Sequence, residues 1–171
     1  MIWQLAAIAA LTFAPIAGKP DDFGASLATV WFFVATDCPI ANSYAPEIER
    51  IAESYKGKVR CFLMYPDPDT TPAAAAHHAM TYHLTLPPVP DPRQIYMRRA
   101  GAKVTPEAAL YDHAGNLEYL GRIDDRWTKL GTSRLTPHHR DLRDAIDAVL
   151  AGKKPLVSRT APVGCYVAAA E

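Results

Sequence analysis

The sequence is poor in cysteine: only three in 171 residues, Cys38, Cys61 and Cys165, with no Cys-x-x-Cys pair among them. That excludes a disulfide scaffold and a four-cysteine zinc site, and any single internal bridge leaves one thiol over. Neither sign of charge is in excess, since 18 Lys plus Arg balance 18 Asp plus Glu. No basic cluster exceeds the pair Arg98-Arg99, so nucleic acid and an anionic membrane surface are not expected as partners. A protein or small-molecule substrate is expected instead. Internal repeats are missing too, and 171 residues, 49% of them hydrophobic, suit one globular domain.

The opening apolar stretch, Ile2 to Ile16, falls short of the roughly 20 residues that a membrane span needs. It passes into small residues and then charge, the outline of a secretory signal, although no Lys or Arg precedes it. A membrane anchor and a buried N-terminal segment are the other readings. The chain is thus expected to divide into an N-terminal segment (1–20), a folded domain (21–152) and a tail carrying Cys165 (153–171). A signal would make the protein extracytoplasmic, periplasmic or secreted, where disulfides persist; without one it would be cytoplasmic.

Residues 27–35, LATVWFFVA, form a continuous run rich in β-branched and aromatic residues, the pattern of a strand buried on both faces. Helical spacing follows at once: Ile40, Tyr44, Ile48, Ile51 and Tyr55 recur on one face, with Glu47, Glu49, Arg50 and Glu53 on the other. A second strand, VRCFLMY (59–65), completes a βαβ unit whose strands should run parallel. Thr70 or Thr71 then caps a helix opened by Pro72 and running to His83. The prolines of 85–92 predict no regular structure there. A short helix over 93–101, a hairpin turning at 113–116, and a last helix bearing Leu142, Ile146, Val149 and Leu150 complete the order. The tail reads as irregular.

Cys38 falls at the first turn of the first helix, among unpaired N–H groups and at the positive end of the macrodipole, where a thiolate is favoured. Pro39 sets the backbone for helix entry. The alternative is a small apolar residue packed at a strand end. Pro46, eight residues after Cys38, should kink the helix, and Pro106 after Thr105 is a candidate for a cis bond at the opening of the next strand.

With Cys38, Pro46 and Thr105-Pro106 in these places, the chain over about 27–151 resembles the thioredoxin-like superfamily, and most closely its redoxin branch of peroxiredoxins and extracytoplasmic thiol reductases. The resemblance implies an α/β thioredoxin-like fold: a central mixed sheet flanked by helices, with a helical insertion between the second strand and the cis-Pro strand. It also implies that Cys38 is the attacking thiol and that the Thr105 backbone pairs with an extended substrate segment. The chain departs from thioredoxins at Ala41, where they carry the resolving cysteine. It departs from peroxiredoxins at Ala35, where they carry a hydroxyl residue, Thr36 standing one place late. Copper carriers of the superfamily use a second cysteine where Asn42 stands, so their two-thiolate site cannot form here.

Three fates are open to Cys165: a resolving thiol for Cys38, a free tail thiol, or an intermolecular bridge. Gly164 beside it permits close backbone approach. Cys61 reads as an inert strand residue. Glu107, directly after Pro106, is a candidate to take the thiol proton. His77, His78 and His83 form no i, i+4 pair and read as a solvated or partly packed helix face rather than metal ligands. His138 and His139 open the last helix, and Asp124, Asp125 and Arg126 read as a local, solvated ion-pair turn, with a polar edge of the site as the alternative. No metal or cofactor is expected. The leading function is an exported thiol–disulfide oxidoreductase whose partners are protein thiols or disulfides, or a small thiol or peroxide. A thiol peroxidase with antioxidant activity, a redox-inactive binding module, and metal carriage by Cys38, Cys165 and a histidine are the alternatives.

Overall fold

The computed structural model describes residues 18–170. The expected N-terminal signal, 1–20, lies almost wholly outside the described residues. Only Gly18 to Pro20 are described, and the Pro20 carbonyl accepts the Trp31 indole N–H at 3.1 Å.

Strand β1 (Ala28–Phe33) buries all six of its side chains. It lies at the centre of a five-stranded mixed sheet in the order β3-β2-β1-β5-β6. β2 (Val59–Tyr65) runs parallel to it, joined through helices α1 (Pro39–Ser43) and α2 (Ala45–Ser54). The expected kink is a full break. Pro46 sits in the first turn of α2, and Tyr44 joins the two helices, its N–H reaching back to the Ala41 and Asn42 carbonyls. Thr71, not Thr70, caps α3 (Pro72–Thr81), its hydroxyl accepting from Ala74 N–H.

The proline-rich connection is a strand after all. β3 (Pro88–Pro90) pairs in parallel with β2. An edge strand needs partners on one side only, so the lost proline donors cost little; Leu63 N–H donates to Pro87 O at 3.0 Å and Asp91 N–H to Tyr65 O at 2.8 Å. After α4 (Ile95–Ala100) come β4 (Val104–Thr105), the cis Thr105–Pro106 bond and β5 (Glu107–Asp112), antiparallel to β1. β6 (Leu117–Gly121) returns through the expected turn. A small hairpin, β7 (Trp127–Lys129) with β8 (Thr132–Ser133), had no signal in the sequence. The last helix, α5, spans Asp141–Leu150.

Alternation along β1 divides the core. Val30 and Phe32 pack with Ile48, Ile51, Leu142 and Ile146 of α2 and α5, while Trp31 and Phe33 pack with Met97 and Ala100 of α4. On the second face Trp31 stacks against Tyr111, centroids 4.5 Å apart.

Three carboxylates expected on solvated faces are buried. Glu47 accepts from Arg143 Nε at 2.8 Å and pairs with Arg50 at 2.8 Å, tying α2 to α5. Asp124 accepts from Tyr44 OH at 2.6 Å, and Asp125 from the backbone N–H groups of His138 and His139. The ion-pair turn is therefore an internal brace, its carboxylates paid for by donors from three segments.

The tail also differs from expectation. It is neither free nor structureless. Leu120 N–H donates to Ser158 O and Thr160 N–H to Leu120 O, so the tail runs along the outer edge of β6. It then reaches β4 as β9 (Cys165–Tyr166), pairing antiparallel with it.

Burial raises the Glu47 carboxyl, but Arg143 and then Arg50 outweigh it and hold it below the ordinary carboxylate range. A depressed folded-state value stabilises the fold above the unfolded value and is lost as pH falls through the folded one. Glu47→Gln should therefore cost about 1–3 kcal/mol at neutral pH and flatten the acid limb of a urea-unfolding series measured against pH.

Candidate functional site: a two-thiol centre

Buried β1 delivers the chain to the site. Val34 N–H still pairs with Met64 O at 2.9 Å, then Ala35 to Asp37 turn, and Cys38 becomes the N-cap of α1. Pro39 occupies the first helical position, where its missing N–H costs nothing. The Cys38 sulfur accepts from Ala41 N–H at 3.5 Å. The residue that stands in place of a second helical cysteine thus contributes its backbone N–H.

Across the sulfur lies β4. The Cys38 thiol is placed to donate to Thr105 O at 3.1 Å, and the Cys165 sulfur stands 2.7 Å from it. All three cysteines are free. Cys38, 1% exposed, is buried, and Cys165 is half-buried. What covers Cys38 is therefore partly a second thiol on a strand of the tail. The pairing of Thr105 with Cys165 occupies the backbone edge expected to receive an extended substrate. The chain's own tail lies there.

Gly164 makes this approach possible. A Cβ at that position would collide with the Thr105 carbonyl. Burial first, then the hydrogen bond to Cys38 and the charges of Cys38 and Asp37, push the Cys165 thiol up to about 11. At neutral pH it is protonated and available to donate to the Cys38 sulfur.

A cavity of about 230 Å³ opens beside the two sulfurs, lined by Ala35, Asp37, Asp67, Thr105 and Tyr166 to Ala168. Its charged lining is acidic, Asp37 and Asp67 without a cation. The turn before Cys38 is held by a chain of hydrogen bonds that the sequence did not reveal. Asn42 Nδ2 donates to Thr36 O at 3.2 Å, His78 Nε2 meets Asn42 Oδ1 at 2.8 Å, and Tyr65 OH meets His78 Nδ1 at 2.9 Å. Tyr65 OH donating, with the His78 proton on Nε2, satisfies every contact in one direction. Burial lowers the His78 pKa, favouring this neutral form. Of the two expected readings, a solvated or a partly packed helix face, His78 follows the packed one, as a buried member of the site's support.

Glu107 stands apart from the thiols. Its register partner is Phe33, whose side chain lies on the α4 face, whereas Cys38 packs in the core of the opposite face. Its carboxylate accepts from Lys103 N–H at 2.9 Å and Val104 N–H at 3.4 Å. It supports β4 rather than contacting the sulfur. Burial raises its pKa, opposed by those two N–H groups. Thr36 contributes its carbonyl to the turn, and the Thr105 hydroxyl is buried with no partner. Cys61 is remote in β2, its thiol pushed up to about 12 by burial and then by Glu49. Among the described residues no three His, Cys, Asp or Glu side chains converge to hold a metal, and no helix is long and apolar enough to cross a membrane.

No protein-family model and no curated protein matches the chain. Solved structures do. The hypothetical protein SMc02350 from Sinorhizobium meliloti 1021 is 26% identical, covering 85% of this chain and 81% of its own, with a TM-score of 0.73. An uncharacterized conserved protein from Geobacillus kaustophilus is 22% identical over 83% of this chain and 77% of its own, also at 0.73. A thioredoxin-like protein solved in its oxidised form is 14% identical over 75% and 81%, at 0.55. The fold is thioredoxin-like.

Gly164→Ala should lift β9 from β4. Alkylation of Cys165 by a maleimide is expected to quicken about tenfold or more, as for a strand end released to solvent, with the core's urea midpoint nearly unchanged.

Proposed function

We propose that the protein is a thiol–disulfide oxidoreductase in which Cys38 attacks and Cys165 resolves. The single observation that carries this reading is the 2.7 Å approach of the two sulfurs at a helix N-cap. The thioredoxin-like fold supports it. Cys38 thiolate attacks one sulfur of a disulfide RSSR, forming Cys38–S–SR and releasing RS⁻. Cys165, deprotonated, then attacks the Cys38 sulfur, forming the internal disulfide and releasing the second RS⁻. Each RS⁻ takes a proton, so the protein loses two electrons and RSSR gains them. The reverse sequence reduces the protein and oxidises a dithiol. The substrate class is a protein or small-molecule disulfide, and the place of action is outside the cytoplasm if residues 1–20 export the chain.

Purified protein equilibrated in a glutathione buffer and mapped by peptide mass should yield a Cys38–Cys165 disulfide with Cys61 reduced. Cys165→Ser should accumulate the mixed disulfide, Cys38→Ser should form none, and resolution should quicken as pH rises because Cys165 attacks as thiolate. A Cys61-containing bridge, or two free thiols throughout, sinks the proposal. Oxidation closes a loop across a sequence separation of 127 residues, worth about 5 kcal/mol in chain entropy, so the oxidised form should unfold at clearly higher urea.

A further inference from the structure

Gln94 is the buried residue whose geometry the reaction above does not explain. Among the described residues it is one of two non-glycines at positive φ, 53°, a region that side chains rarely adopt. It stands at the N-cap of α4, yet its side chain does not cap the helix. Asp91 does so instead, its carboxylate accepting from Ile95 N–H at 2.7 Å and Met97 N–H at 3.0 Å. The left-handed backbone directs the Gln94 carboxamide elsewhere. Nε2 donates to Pro66 O at 3.2 Å and to Ala168 O, and Oε1 accepts from Ala170 N–H at 3.2 Å. One side chain thus offers the tail a donor and an acceptor, as a neighbouring strand's peptide unit would. It also links two segments beside the thiol cavity, since Pro66 precedes the lining residue Asp67 and Ala168 lines the cavity too.

Beyond Cys165 the tail has few other anchors. Val167 N–H donates to Lys103 O at 3.3 Å and its side chain packs, partly buried, against the core on the α4 face, while Tyr166 is exposed. We propose that Gln94 is a positioning residue that holds the tail strand on β4. It sets Cys165 against Cys38 and governs both how readily the two thiols pair and how far Cys38 is open to molecules from outside. The pairing half of this inference rests on the Cys38–Cys165 reading above; the clamp itself does not.

Gln94→Gly is the informative variant. It keeps the backbone bonds from Gln94 N–H to Asp91 O and from Arg98 N–H to Gln94 O. Glycine also suits positive φ, so the domain should fold at least as well while the carboxamide is lost. The effective concentration of Cys165 toward Cys38, read as the disulfide-to-dithiol ratio in a glutathione buffer, is expected to fall about tenfold or more. In the Cys165→Ser background, iodoacetamide modification of Cys38 is expected to quicken by about as much. Hydrogen exchange at the Val167 and Ala170 amides, measured in the Cys38→Ser chain where this disulfide cannot form, reads the clamp by itself. Unchanged exchange and unchanged Cys38 modification on adding Gln94→Gly overturn the proposal. Faster exchange supports the clamp even if the parent chain forms no Cys38–Cys165 disulfide, a result that would sink the redox reading alone.

Discussion

Strand β1 has no face toward water, and everything at the site follows from that. Six consecutive side chains are buried, in two cores divided by the pleat, so a slip of one residue would exchange Phe32 and Phe33 between cores built for different partners. The register is therefore fixed, and with it the point at which the chain leaves the sheet. Cys38 is carried to that point. A Val34 bond to β2, the Thr36 carbonyl held by Asn42, and Pro39 at the start of α1 leave the sulfur little choice of position.

The second thiol reaches the same place by different means. Val163 and Cys165 pack, partly buried, against one core and Val167 against the other. Backbone pairing along Leu120, a glycine approach at Thr105 and the carboxamide of Gln94 hold the rest of the tail. Interactions of this kind are individually worth about 1 kcal/mol and open locally far more easily than the sheet does. The centre thus joins a rigid half, Cys38, to a removable half, Cys165. Such a division suits chemistry in which one sulfur must stay oriented while the other admits a substrate and then returns.

The rigid half was legible in the sequence. The LATVWFFVA run, the amphipathic spacing after Cys38 and the turn at 113–116 each produced the expected element, because local pattern and burial agree there. Three features were not legible. Pro88–Pro90 forms a strand because only one side of an edge needs donors. Glu47, His78, Asp124 and Asp125 are buried because arginines, tyrosines and backbone N–H groups from distant segments converge on them, and sequence spacing carries no trace of such convergence. The tail looked irregular because its order is supplied by β6, β4 and Gln94 rather than by its own periodicity. Gly164 beside Cys165 was the one local sign of a close approach, and Glu107, adjacent to Pro106 in sequence, was drawn to the wrong face by the alternation of the strand.

The distance along the chain between the two sulfurs carries a further meaning. During synthesis Cys38 emerges early and Cys165 only after all five strands of the sheet and α5 have been translated. For most of that time the thiol available to Cys38 is Cys61, 23 residues away along the chain rather than 127 and destined for the interior. Once β2 is seated beside β1, Cys61 is withdrawn. The two sulfurs therefore meet only where the assembled sheet already holds β9 against β4.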